Sequence, residues 1–153
     1  MSAHPELVLR VGDIDLRPIV TVGPDATLQA AASVMQAHSI ASVIVSRPDE
    51  PVAILTERDV TRAVAADRPP GTPAAGLASP RPLTVDADTV VLDAAGLMLT
   101  ENVRHLVVTR DDRAVGVVSM RDLLAALVDA VTPERLYVML QAISGSSAGS
   151  WPG

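Results

Sequence analysis

Two short stretches carry residue types able to grip a phosphorylated nucleoside. They are Thr56-Glu57-Arg58-Asp59 and Ser119-Met120-Arg121-Asp122. Each follows an apolar β-prone run and opens a helical pattern, so each falls at a helix N-terminus. Free backbone N–H groups and the positive end of the helix dipole attract phosphate there. The hydroxyl of Thr56 or Ser119 and the guanidinium of Arg58 or Arg121 can add contacts to the same phosphate. The carboxylate of Asp59 or Asp122 can accept both hydroxyls of a ribose. The same spacing also has a plainer meaning. A Ser or Thr followed three residues later by an acid is a capping box, in which the two side chains satisfy first-turn N–H groups. Spacing alone favours capping. The use of Asp twice, where capping boxes prefer Glu or Gln, leans slightly toward a ligand.

Other chemistries find little support. There is no Cys, so thiolate metal sites and disulfide frameworks are excluded. His4, His38 and His105 stand alone, with no second ligand at metal spacing. Gly145-Ser146-Ser147-Ala148-Gly149 has the spacing of a nucleophile elbow. That device needs a strand before it and a helix after it, and this one sits in a Gly/Ser-rich stretch. No catalytic residue, no metal site and no required cofactor are expected, so the chain reads as a binding module rather than an enzyme.

The two stretches belong to a duplicated unit. Asp59 returns as Asp122, a step of 63 residues, and Thr21-Val22 return as Thr84-Val85 at the same step. Ala31, Ala32 and Met35 return as Ala94, Ala95 and Met98. Duplicated units stack, because one copy alone leaves an apolar face uncovered. The expected product is pseudo-twofold, with two related clefts. The repeats are expected over 11–66 and 74–130, joined by a Pro/Gly-rich linker over 67–73. A short helix is expected over 132–144, with Thr132-Pro133 at its start. Residues 145–153 read as a disordered tail.

Within each repeat the order is strand, helix, strand, strand, helix, which gives a mixed α/β (α+β) chain. Leu28, Ala31, Ala32 and Met35 recur at i, i+3, i+4 and i+7, the face of one helix. Val43-Ile44-Val45 and Val52-Ala53-Ile54-Leu55 flank a turn at 47–51, and Leu106-Val107-Val108 and Val115-Gly116-Val117-Val118 flank one at 110–113. Strands this continuously apolar are expected to be buried on both faces.

The 153 residues suit one compact domain or two small halves, and the 48% hydrophobic content supports a core. With no Phe and 1% aromatics, that core is built of aliphatic residues, Ala and Met. A net charge of −6 argues against nucleic-acid binding. No apolar run reaches transmembrane length, so no membrane partner is expected. Met1 to Glu6 lack the features of a signal peptide, so the expected compartment is the cytoplasm. All 12 basic residues are Arg. Codon bias explains that as readily as the bidentate fit of Arg to phosphate does, and only position separates the two.

At this point the chain resembles a known family. Gly116-Val117-Val118-Ser119-Met120-Arg121-Asp122-Leu123, preceded by Val103-Arg104-His105-Leu106-Val107-Val108, is similar to the cystathionine-β-synthase (CBS) domain signature. Asp13-Ile14, Thr27-Leu28 and Ala31-Ala32-x-x-Met35 fit the same family. The resemblance covers about residues 11 to 130. It implies a tandem pair, or Bateman module, that senses AMP, ADP, ATP or S-adenosylmethionine and regulates a partner protein. It also implies that such pairs associate again through their helices, here as a homodimer.

Carried over residue by residue, Thr56 and Ser119 become phosphate contacts, and Asp59 and Asp122 ribose binders. Ala41-Ser42 and Arg104-His105 border the clefts, and Thr21-Val22 and Thr84-Val85 supply backbone around the adenine. The family glycine is present as Gly116 but replaced by Ala53 in the first copy. Gly116 is therefore expected to let backbone and ligand approach closely. The cleft with Ser119, Asp122, Arg104 and His105 is expected to bind more tightly than the one with Thr56 and Asp59. The competing expectation is a structural dimerisation module whose Ser/Thr–Asp pairs only cap helices.

Overall fold

A computed structural model describes residues 8–46 and 52–131, and the single helical positions Glu134, Tyr137 and Gln141. Residues 1–7, the turn expected over 47–51, the rest of the helix expected over 132–144 and the tail over 145–153 lie outside the described residues.

The first repeat contributes β1 (Thr21–Val22), α1 (Leu28–His38), β2 (Ser42–Val45), β3 (Ala53–Thr56) and α2 (Glu57–Ala65). After it come a 3-10 turn at Ala74–Gly76 and the short β4 (Ser79–Pro80). The second repeat contributes β5 (Thr84–Asp86), α3 (Val91–Thr100), β6 (His105–Arg110), β7 (Arg113–Ser119) and α4 (Met120–Ala130). The order expected from the repeat holds in both copies. β1 pairs parallel with β2, and β2 pairs antiparallel with β3. β5, β6 and β7 repeat that arrangement. Between β6 and β7 the chain reverses through Asp111 and Asp112, at φ 50 and 58. Both central residues are left-handed, which suits the twist of a two-residue hairpin.

The apolar patterns place the core as expected. Leu28, Ala31 and Met35 of α1 are buried, and Ala31 and Met35 pack with Val22, Val43, Val45 and Leu55. Val91, Ala94 and Met98 of α3 are buried in a second cluster with Val85, Leu106, Val108, Val118 and Leu123. The alternate strand residues Ile44, Ile54 and Val107 face the other way and form a third cluster with Ile19. Ile44 and Val107 are 63 residues apart, so equivalent strand faces meet at the seam between the sheets. That is why β2 is buried along its whole length.

The packing does not follow the sequence repeat in one respect. Val11, from the lead-in of the first repeat, is fully buried in the core of the second. Its counterpart Ala74 is fully buried in the core of the first. The backbone bonds match as well. Val11 N–H donates to Thr89 O and Gly12 N–H to Ala87 O, while Ala74 N–H donates to Ala26 O and Ala75 N–H to Pro24 O. β4 then adds antiparallel to β3, with Ile54 opposite Ser79. In the other sheet Arg17 bridges Val117 of β7. Each lead-in thus completes the sheet and core of the other repeat.

Candidate functional site: two clefts at the repeat seam

Both closing helices start in the same way. Thr56 N–H and Oγ1–H donate to Asp59 Oδ2 at 2.9 and 2.8 Å, and Asp59 N–H donates back to Thr56 Oγ1 at 3.4 Å. Ser119 N–H and Oγ–H donate to Asp122 Oδ2 at 2.9 and 2.7 Å, and Asp122 N–H donates to Ser119 Oγ at 3.1 Å. Both capping boxes are therefore formed. The cap occupies one carboxylate oxygen and leaves Oδ1 facing arginine: Arg17 lies 3.4 Å from that oxygen of Asp122, and Arg62 3.7 Å from that of Asp59. Arg17 is half-exposed, so this pairing is weak and a ligand hydroxyl can displace it.

The larger cleft has a volume of about 900 Å³. It brings together Ala41 and Ser42 at the start of β2, Arg104 and His105 at the start of β6, and Ser119, Arg121 and Asp122 at the head of α4. The smaller cleft, about 260 Å³, gathers Thr56, Arg58 and Asp59 at the head of α2 and shares Arg104 and His105 with the first. Arg58 is held there by a hydrogen bond from its Nη1 to Asn102 O at 3.1 Å. Arg17, Arg58, Arg62, Arg81, Arg104 and Arg121, six of the chain's 12 arginines, line the two clefts. In a chain of net charge −6 this concentration gives the clefts an anion-attracting character.

Four expected residues fall elsewhere. Thr21, Val22, Thr84 and Val85 line neither cleft. Val22 and Val85 point into the two separate cores, because strand alternation turns the apolar residue inward. The chain meets the clefts just before each strand, through Arg17 and Pro18 in the larger and Arg81, Pro82 and Leu83 in the smaller. The repeated Arg-Pro dipeptide was the available signal. Glu57, which carries no expected role, lines both clefts as well.

Gly116 also has a different role from the one expected. A Cβ on it would lie 2.8 Å from Leu16 Cβ and 3.0 Å from Arg17 O. Its missing side chain admits the lead-in that carries Arg17 to Asp122, rather than a ligand directly. Arg104 and His105 serve both clefts, so they no longer distinguish them. Volume and the placement of Arg17 do.

His105 titrates below its ordinary value. Burial is the main cause; Asp122 and Glu57 pull the other way, and Arg104 and Arg58 add to the lowering. The native state then binds fewer protons than the unfolded chain between the folded-state pKa and 6.5. Stability contributed by neutral His105 is present above that window and is lost as pH falls through it. Urea midpoints are expected to hold down to about pH 6.5 and to decline as pH falls below it, a decline that His105→Gln reduces. An unchanged slope in His105→Gln would remove His105 as its source.

Among the described residues, no group of three His, Cys, Asp or Glu is placed to hold a metal ion. No described helix is long and apolar enough to cross a membrane.

The fold and the paired clefts define a tandem pair of CBS domains. The CBS domain family model matches residues 11–66 and 74–129, and the chain belongs to that family. It is 33% identical over 128 residues to an uncharacterized 17.7 kDa protein of Acidianus ambivalens, covering 82% of this chain and 77% of that one. It is 30% identical over 114 residues to the CBS domain-containing protein YhcV of Bacillus subtilis, covering 74% and 81%. Among solved structures, a CBS-domain protein of Agrobacterium tumefaciens superposes with a TM-score of 0.73 at 26% identity, over 82% of this chain and 98% of that one. A CBS domain protein of Pyrobaculum aerophilum, complexed with AMP, superposes at 0.68 and 30% identity, over 87% and 99%.

Proposed function

We propose that this protein is a regulatory module that binds an adenosine-containing ligand in the larger cleft. The candidates are AMP, ADP, ATP and S-adenosylmethionine. The observation that carries the reading is the head of α4. It sets a hydroxyl, a helix N-terminus and a carboxylate oxygen beside Arg17, Arg104 and Arg121 in one cleft of about 900 Å³. Small-molecule sites commonly measure about 300–1,000 Å³, and the second cleft, at about 260 Å³, falls below that range. The complex of the P. aerophilum relative with AMP supports the choice of ligand class.

In this reading Asp122 Oδ1 accepts the ribose hydroxyls, and Arg17, Arg121 and Ser119 take the phosphate. The site residues of the smaller cleft, Thr56, Arg58 and Asp59, bind more weakly. The protein is a cytoplasmic homodimer that needs no cofactor and passes ligand occupancy to a protein partner. It carries out no turnover, since no activated nucleophile stands in either cleft.

Isothermal calorimetry and thermal shift with AMP, ADP, ATP and S-adenosylmethionine test the proposal, with GMP as a control. A ligand at 100 times its Kd is expected to stabilise the fold by about 2.7 kcal/mol. If none of the four binds, the reading falls. A second reading has a specific observation behind it. Both Ser/Thr–Asp pairs already satisfy each other as caps, which is all that a purely structural module requires.

A further inference from the structure

His105 stands where the two clefts meet. It opens β6, lines both clefts and is half-buried between them. In the sheet it lies opposite Ser119, and side chains paired in this way have Cβ atoms about 4.5–5.5 Å apart. A phosphate held at the Ser119 hydroxyl is therefore within a side chain's length of the imidazole. The duplication supplies this neighbour only once. A step of 63 residues back, His105 becomes Ser42, which pairs with Thr56 in the same way and cannot titrate. Every element around the imidazole brings charge. α4 contributes Asp122 and Arg121, α2 contributes Glu57 and Arg58, and Arg104 precedes it on the chain. The lead-in carries Arg17 into the larger cleft, and Arg62 and Arg81 stand beside Asp59 in the smaller one. Asp122 and Glu57 favour the imidazolium, Arg104 and Arg58 oppose it, and burial decides against it. Asp122 has already given Oδ2 to the cap and Oδ1 to Arg17. At neutral pH the cleft thus sets a neutral imidazole beside a place suited to an anion.

We infer that His105 makes the larger cleft select for phosphate, by taking up one proton from solvent as a phosphate-bearing ligand enters beside Ser119. The inference rests on the proposed function, which puts the phosphate of an adenosine ligand at the head of α4, and it names what separates one such ligand from another. The only bond formed is the new N–H of the imidazolium. The phosphate supplies the stabilisation that burial withholds, because an opposite charge within about 4–6 Å favours the charged form. The imidazolium then offers donors on both ring nitrogens, and a partly buried pair is screened less by salt than a surface one. The effect is reciprocal: phosphate strengthens proton binding, and the proton strengthens phosphate binding by the same factor. AMP is thereby favoured over adenosine, which has no phosphate, and over S-adenosylmethionine, whose sulfonium is cationic. The gain accrues as pH falls from the midpoint of the occupied cleft to that of the empty one, which lies below 6.5. A histidine that only fills the sheet has no such link to ligand charge.

Proton NMR reads the imidazole directly. The His105 ring resonance is the one missing in His105→Gln. Its titration midpoint is expected to move up when AMP saturates the wild-type chain and to stay in place with adenosine. Calorimetry of AMP at about pH 7, in two buffers of different ionisation enthalpy, is expected to show net proton uptake in wild type and less in His105→Gln. Between about pH 7.5 and about pH 6, AMP affinity is expected to gain at least about threefold more in wild type than in His105→Gln, within the roughly tenfold per pH unit that one proton allows. The ionisation of the phosphate itself, near about pH 6, is common to both proteins and drops out of that comparison. If AMP does not bind, the proposed function and this inference fall together. If AMP binds but the midpoint of His105 stays or drops, or adenosine moves it as far, this inference falls and the proposed function stands. The titration is read on the wild-type chain, so it decides the matter even where His105→Gln fails to fold; His4→Gln and His38→Gln then supply the assignment by elimination.

Discussion

Asp122→Ala is expected to weaken AMP binding in the larger cleft by roughly 10- to 150-fold, the worth of a hydrogen bond to a charged group. Asp59→Ala is expected to leave that affinity nearly unchanged. The comparison is informative because both substitutions remove the same local feature. Asp59 and Asp122 each accept the backbone N–H and hydroxyl that open their helix. Each variant therefore loses a cap, worth about 0.5–2 kcal/mol of stability, and the two losses should be similar. Only Asp122 also presents Oδ1 beside Arg17 in the cleft of about 900 Å³. Calorimetry with AMP, alongside urea melts, separates the two effects. Equal losses of affinity, or tight binding retained in Asp122→Ala, would reduce the pair at Ser119 and Asp122 to a helix cap.

Val11→Asp is expected to cost about 3–5 kcal/mol, the penalty of an uncompensated charge in a core. Val11 is fully buried among residues of the second repeat, although it opens the first in sequence. Hydrogen exchange should therefore accelerate in β5, β6, β7, α3 and α4 before it does in β1, β2 and β3. Val8→Asp is the control. Val8 is 42% exposed, and its replacement should change stability by less than about 0.5 kcal/mol. Exchange that accelerates first in the sheet of the first repeat would show that the lead-in does not dock across the seam in solution.

Much of this architecture was legible because it rests on short-range physics. The helix period put Leu28, Ala31 and Met35 on one buried face, and the apolar runs of β2 and β6 announced burial on both sides. The step of 63 residues announced a twofold arrangement with two clefts, and seven of the expected site residues meet in the larger one. What the pattern could not show was which copy a segment packs on. Val11 and Ala74 are both small and apolar, and each satisfies the core of either repeat equally well in a one-dimensional pattern. The exchange of lead-ins was hidden for that reason, and with it the route of Arg17 to Asp122. Thr21-Val22 and Thr84-Val85 are expected by resemblance to supply backbone around the adenine, and strand alternation directs their valine side chains into the cores. Gly116 was read as room for a ligand because a glycine's missing Cβ does not say what fills the space.

The crossing of the first lead-in also sets an order of events at the ribosome. Residues 8–17 emerge before everything they bind. Their partners, Ala87, Thr89 and Val117, lie 75 to 100 residues downstream, a delay of several seconds or more at about 5–20 residues per second. The unit from β1 to β4, by contrast, has its own completing segment in cis at Ala74–Pro80 and can close as it is made. The return of residues 8–17 to the second repeat is a long-range closure, of the kind that slows folding. The Ser119–Asp122 cleft, which takes Arg17 and Pro18 from that segment, is completed only when this closure is made, after translation has passed α4.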